Sequence, residues 1–155
     1  MSSSIEINPP PPPRLSAGRA RWIALGVAAL ILGAIGVVIL RGRPGPPPPA
    51  IAHDPILVRG YEIYSTRCAS CHGPTGWGDG PLAKGLAGPA MRNLGEDPWK
   101  YGDTPERVVA VLTNGIKDSA MPGWGGVYGR ADLNATAAYL YHLTDRSVPA
   151  AFRVP

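Results

Sequence analysis

The sequence predicts an all-α chain: one N-terminal helix suited to crossing a membrane, then a small domain of three main helices joined by long loops. Three observations carry this expectation. Residues 22–40 are nineteen consecutive positions with neither a charge nor a proline. Three later stretches, near 55–68, 104–115 and 130–144, repeat apolar or small residues at helical spacing or carry helix start and stop signals. Thirteen of the fourteen glycines beyond Ile51 fall between Gly73 and Gly129, so the chain between those helices is expected to be mostly loop.

The 155 residues allow one ordinary domain plus extras. The net charge of +4 is unevenly placed. Arg14, Arg19, Arg21, Arg41 and Arg43 against Glu6 account for all of it, and residues 51–155 balance at zero with ten bases and ten acids. Nucleic-acid binding through a basic face is therefore excluded as a whole-chain property. Cys68 and Cys71, the two cysteines, are too close together to form a disulfide framework.

Residues 1–21 are polar and proline-rich and are expected to be a disordered tail. As a helix, residues 22–40 would reach about 28 Å, near the thickness of a bilayer's hydrocarbon core. Arg19 and Arg21 precede the run, Arg41 and Arg43 follow it, and Trp22 stands where an interfacial aromatic belongs. No small-x-small cleavage pattern closes it, so an uncleaved signal anchor is expected rather than a removed signal peptide. Ala29 and Gly33 are a small pair of the type that packs membrane helices. Residues 41–54 hold the second proline run, expected to be an extended spacer of roughly 20 Å. The domain is expected over 55–146, with a short tail at 147–155.

The chemistry is concentrated in Cys68-Ala69-Ser70-Cys71-His72. C-x-x-C-H is the attachment signal for haem c: the two thiols add to the haem vinyl groups, and the adjacent imidazole becomes an axial iron ligand. A thioredoxin-like site would sit in a strand–helix–strand pattern, which is lacking here. A zinc site would need a second ligand pair, and His53 and His142 do not form one. An electron-carrying haem iron takes a sixth ligand, usually Met or His. The candidates are Met91, Met121 and His142, with an open site as the remaining option. Met121 is favoured, because Pro122 stiffens its backbone and Gly123, Gly125 and Gly126 permit an irregular loop.

The first helix is expected over 55–68, with Ile56, Gly60, Ile63, Tyr64 and Arg67 on one face, all but Arg67 apolar or small, and Gly60 marking close approach of another backbone. The second starts at Thr104 as N-cap, has Pro105 at its first position and Glu106 in its first turn, and stops near Gly115. The third runs over 130–144, with Leu133, Ala137, Leu140 and Thr144 on one face.

With these residues in place, the stretch 56–143 resembles the class I c-type cytochromes, in particular the small membrane-anchored, single-haem cytochromes of bacterial respiratory chains. Its landmarks are Gly60-Tyr61-Glu62-Ile63-Tyr64, Cys68-Ala69-Ser70-Cys71-His72-Gly73, Gly78-Asp79-Gly80-Pro81-Leu82, Thr104-Pro105-Glu106 with Gly115, Met121-Pro122 and Ala138-Tyr139-Leu140. The resemblance implies a class I cytochrome c-like fold around one covalently attached haem c, and crossing first and last helices, with Gly60 and Tyr64 near Tyr139. It implies the carbonyl of Pro89 as acceptor for the second nitrogen of His72. It also implies haem attachment outside the cytoplasm, hence a single pass through the inner membrane with the N-terminus inside and the domain in the periplasm. Trp77, Trp99, Tyr101 and Trp124 are candidates for lining the haem or bonding its propionates, with ordinary packing as the alternative. Asp79 is expected to form a turn.

The expected function is single-electron transfer, not catalysis by the domain itself. The expected partners are a quinol-oxidising complex, a terminal oxidase or another cytochrome, met as a carrier or as a fixed subunit. A haem-based gas sensor with a displaceable sixth ligand is the competing class. Two ionised propionates would take the neutral domain to about −2.

Overall fold

The computed structural model describes residues 17–41, 44–86, 93–96 and 98–153. Pro89 and Met91, and residues 1–16 of the expected tail, lie outside them. The chain divides into two units, residues 1–42 and 43–155.

In the first unit, α1 spans Ala17–Arg41. Within it Gly18–Ile39, 22 residues, is long and apolar enough to cross a membrane. Its large side chains are exposed around the whole circumference, with Trp22 and Leu30 each at 76 %. A helix of this length, apolar on every side, suits a lipid environment.

The second unit is helical, with no strand among the described residues. Helix α2, Pro55–Ile63, is started by Asp54, whose carboxylate accepts from the amides of Ile56 and Leu57 at 3.1 and 3.3 Å. Pro55 fits the first position because its missing N–H would have had no helical partner. At Tyr64 the helix widens into a π-helical turn, Tyr64–Cys68, before α3, Ala69–His72, completes it. The expected single α-helix over 55–68 thus changes its winding at Tyr64. Helix α4 covers Pro105–Asn114 with the Thr104 hydroxyl accepting from the Arg107 amide. Helix α5 covers Arg130–Leu143.

Helices α2 and α5 cross at Gly60. A Cβ there would lie 2.1 Å from the Ala135 carbonyl oxygen and 2.6 Å from Tyr139 Cβ, so only glycine lets the backbones meet. Tyr139 then packs between Tyr61 and Tyr64, with ring centroids 5.7 and 5.5 Å away. Helix α5 carries more than the single apolar face expected of it: every residue from Ala135 to Tyr141 is buried. Its far side is covered by the 3₁₀ turn Ala150–Arg153, whose Phe152 meets the Tyr141 ring, and by Trp99.

Both flanks of the expected domain contribute to the core. Ile51, placed by composition in the spacer, is 1 % exposed, and Phe152, placed in the tail, is 4 % exposed. Residues 48–54 fold into successive turns, Ile51 N–H to Pro48 carbonyl and Asp54 N–H to Ile51 carbonyl, instead of staying extended. An Asp54–Arg153 ion pair at 2.7 Å joins the two flanks.

Candidate functional site

The end of the π-helical turn, α4, α5 and the loop before α5 enclose one cavity of about 220 Å³. Tyr64, Cys68, His72, Leu112, Met121 and Leu140 are among the residues that line it. Two of the expected site residues, His72 and Met121, are forty-nine positions apart in sequence and face the same space.

Cys68 is buried at the junction of the π-helical turn and α3. Burial, and secondarily the neighbouring Cys71, push its thiol up to about 12. A redox-active C-x-x-C needs the reverse, a thiol stabilised as thiolate. Cys71 is half-buried one turn further on and is not among the cavity-lining residues. Burial lowers the pKa of His72 and so favours neutral imidazole, the form that binds a metal. Its Nδ1 is buried and has no hydrogen-bond partner among the described residues.

The loop after the motif folds back and satisfies the carbonyls that the short α3 leaves open. The Gly78 N–H donates to His72 O at 2.8 Å and the Leu82 N–H to Ser70 O at 2.9 Å. Gly80 permits this return, since a Cβ there would lie 2.6 Å from the Cys71 carbonyl. The buried Tyr64 hydroxyl donates to Gly73 O at 2.7 Å, holding the residue after His72 from the opposite side. The motif is therefore held through the carbonyls of Ser70, His72 and Gly73.

Met121 is presented by a loop laid against the end of α4. The Trp124 N–H donates to Leu112 O at 2.8 Å and the Gly125 N–H to Thr113 O at 3.0 Å. Gly115, at φ +73°, makes room, because a Cβ there would lie 2.6 Å from both Met121 O and Gly123 N.

Of the four candidate aromatics, Trp99 and Tyr101 line the cavity. Trp77 is 67 % exposed, and Trp124 packs on Tyr128 with its indole N–H buried and unpartnered among the described residues. Neither lines the cavity, and neither do Asp79 and His142. His142 lies instead against Tyr139. Three contributors to the site were not singled out from sequence: the Tyr64–Gly73 bond, Ser119 beside Met121, and Arg146. The Arg146 guanidinium lies 4.3 Å over the Trp99 ring and donates to Leu94 O, fixing the loop that carries Trp99. Arg146 reaches Leu94 across 52 residues, while the Ser119 and Tyr64 contacts depend on local backbone conformations that residue spacing does not signal.

The donor set fits haem c: two thiols on one turn, a neutral imidazole beside them, a thioether facing the same apolar cavity and an imidazole nitrogen left for an acceptor. Residues 57–140 match the protein family described as cytochrome c oxidase, cbb3-type, subunit III. The chain is similar to the Cbb3-type cytochrome c oxidase subunit FixP of Azorhizobium caulinodans, at 32% identity over 89 residues that make up 57% of this chain and 28% of that protein. It is also similar to the subunit CcoP of Rhodobacter capsulatus, at 32% identity over 94 residues, 54% of this chain and 28% of that protein. The chain thus spans less than a third of the length of these relatives. Among solved structures, a chain of the reducing HAO-like protein complex of Kuenenia stuttgartiensis matches with a TM-score of 0.56 at 24% identity, over 64% of this chain and 47% of that one. That last likeness is one of fold.

Proposed function

Because the chain belongs to the family of cbb3-type cytochrome c oxidase subunit III, we propose that it is a membrane-tethered, single-haem c-type cytochrome that transfers single electrons in a respiratory chain. The observation that carries this is the meeting of Cys68, His72 and Met121 in one apolar cavity. Cys68 and Cys71 would hold haem c through thioether bonds, and His72 and Met121 would ligate its iron. The carbonyl of Pro89 is the proposed acceptor for His72 Nδ1, which has no partner among the described residues.

When bound, haem c supplies a one-electron Fe(III)/Fe(II) couple. The chain's own residues set the conditions for it. Met121 brings a neutral thioether, which favours Fe(II) and raises the reduction potential. Leu112 and Leu140 keep the cavity apolar, which penalises the extra charge of the oxidised state and acts in the same direction. Tyr64 and Gly78 hold the His72 backbone still, so little has to rearrange when the charge changes.

The domain is proposed to lie on the periplasmic side of the inner membrane, tethered by α1. Its partners would be a quinol-oxidising complex, a terminal oxidase or another cytochrome. The names of its relatives, which are oxidase subunits, favour a place inside such a complex. A haem stain on a denaturing gel tests covalent attachment, and its loss in Cys68→Ala and Cys71→Ala is expected. The oxidised protein should show a long-wavelength methionine–iron charge-transfer band that Met121→Ala abolishes. Persistence of the band in that variant would refute Met121 as the ligand, and fast CO binding to the reduced wild type would favour a gas sensor.

A further inference from the structure

We propose that Ser119 is the positioning residue for Met121, locking its backbone so that the thioether is held toward the iron; this rests on Met121 being the sixth ligand. Around Met121 the chain closes a small ring. The Ile116 N–H donates to the Met121 carbonyl at 3.1 Å. The Ser119 hydroxyl donates to the Ile116 carbonyl at 2.8 Å and accepts from the Met121 N–H at 3.1 Å. Both polar groups of the Met121 backbone are therefore tied to Ile116, the carbonyl directly and the amide through one hydroxyl. Asp118, at φ +58°, adopts the left-handed conformation inside this ring, between Ile116 and Ser119.

The arrangement leaves Met121 its side-chain torsions and little else. Pro122 fixes the next φ angle. The loop has no regular secondary structure between Gly115 and Met121 to hold it otherwise. Ser119 and Ile116 themselves line the cavity beside Met121. A hydroxyl is the group required, because it must donate and accept at once. Alanine leaves both the Ile116 carbonyl and the Met121 amide unmade, and the loop can then swing the thioether away.

The test uses the full-length, haem-loaded protein in detergent with cyanide as the competing ligand. In Ser119→Ala the affinity of the oxidised protein for cyanide should rise about tenfold, within the range expected for the two hydrogen bonds lost. The methionine–iron band should weaken as well, and Ser119→Thr should restore both. Thr136→Val, which removes a hydroxyl-to-carbonyl bond inside α5 and lies outside both the cavity lining and the Met121 loop, should lower the melting temperature and leave cyanide affinity alone. Cyanide affinity in Ser119→Ala within about twofold of wild type would overturn the proposal. If Ser119→Ala does not accumulate with haem, hydrogen exchange in the wild type decides: the Met121 amide should be protected, and free exchange would overturn the proposal. Failure of the ligand reading looks different, since Met121→Ala would then keep both the band and the wild-type cyanide affinity.

Discussion

Gly60 has no room for a methyl group, and Gly85 has nothing within 4 Å of where one would go. The difference makes a direct test of the helix crossing. Gly60→Ala must push α2 away from the Ala135 carbonyl and should cost about 1–3 kcal/mol or more. Gly85→Ala should stay within about 0.5 kcal/mol of wild type. Denaturant unfolding of the two haem-loaded variants measures both. Charge acts on a smaller scale. Arg59 bonds Asp132 through Nε and Nη2 at 2.8 and 3.2 Å. That hydrogen bonding and charge hold the Asp132 carboxyl below its ordinary value of 3.8. The stabilisation is therefore complete above that ordinary value and is lost as pH falls through the lower value of the folded state. Both side chains are partly exposed, so the effect is modest and screened by salt. Asp132→Asn should be less stable than wild type at neutral pH, and the gap should close on acidification, as thermal melts across pH would show.

The π-helical turn is the element that sequence periodicity does not reveal. Ile56, Gly60, Ile63 and Tyr64 follow one α-helical face, and nothing in their spacing announces the wider turn that begins at Tyr64. Its effect is a change of register. Upstream residues of α2 face α5, and downstream Cys68 and His72 face the cavity. A turn of this kind leaves main-chain carbonyls poorly matched, and the Thr66 hydroxyl meets two of them, Glu62 O at 2.8 Å and Ile63 O at 3.2 Å. Thr66→Val should lower stability by about 0.5–1.5 kcal/mol, read from the melting temperature, with no loss of covalent haem. Elsewhere local signals sufficed. Thr104 with Pro105 marks the start of α4, Gly115 marks its end, and the C-x-x-C-H pentapeptide places the motif. What escaped is what the fold makes by bringing distant residues together: Arg146 over Trp99 and α5 buried on nearly every side. Ser119 escaped for a different reason, because its role depends on a loop conformation that no propensity specifies.

For the whole molecule, the flank ahead of α2 is part of the domain. Ile51 fills the core and Asp54 both caps α2 and pairs with Arg153. A soluble fragment starting at residue 44 should therefore keep the stability of the intact domain. One starting at residue 55 loses the Ile51 side chain and should be weaker by about 2–5 kcal/mol, the cost of emptying a buried isoleucine site. Comparative melts of the two haem-loaded fragments settle the point. The small net charge of the domain, zero over residues 51–155 and about −2 with two ionised propionates, predicts in turn that electron exchange with a partner depends only weakly on ionic strength.

The Asp54–Arg153 pair has one more consequence, for how such a domain can be rewired. It ties the domain's two flanks together through side chains at 2.7 Å, so a glycine linker from Arg153 back to residue 44, ahead of Ile51, could join them and the chain be reopened at the exposed Gly85. In that circular permutant Met121 would precede Cys68 along the chain, and the same cavity would still receive both. If that permutant retains covalent haem, the domain would serve as a cassette that a host's surface loop could accept as well as a terminus.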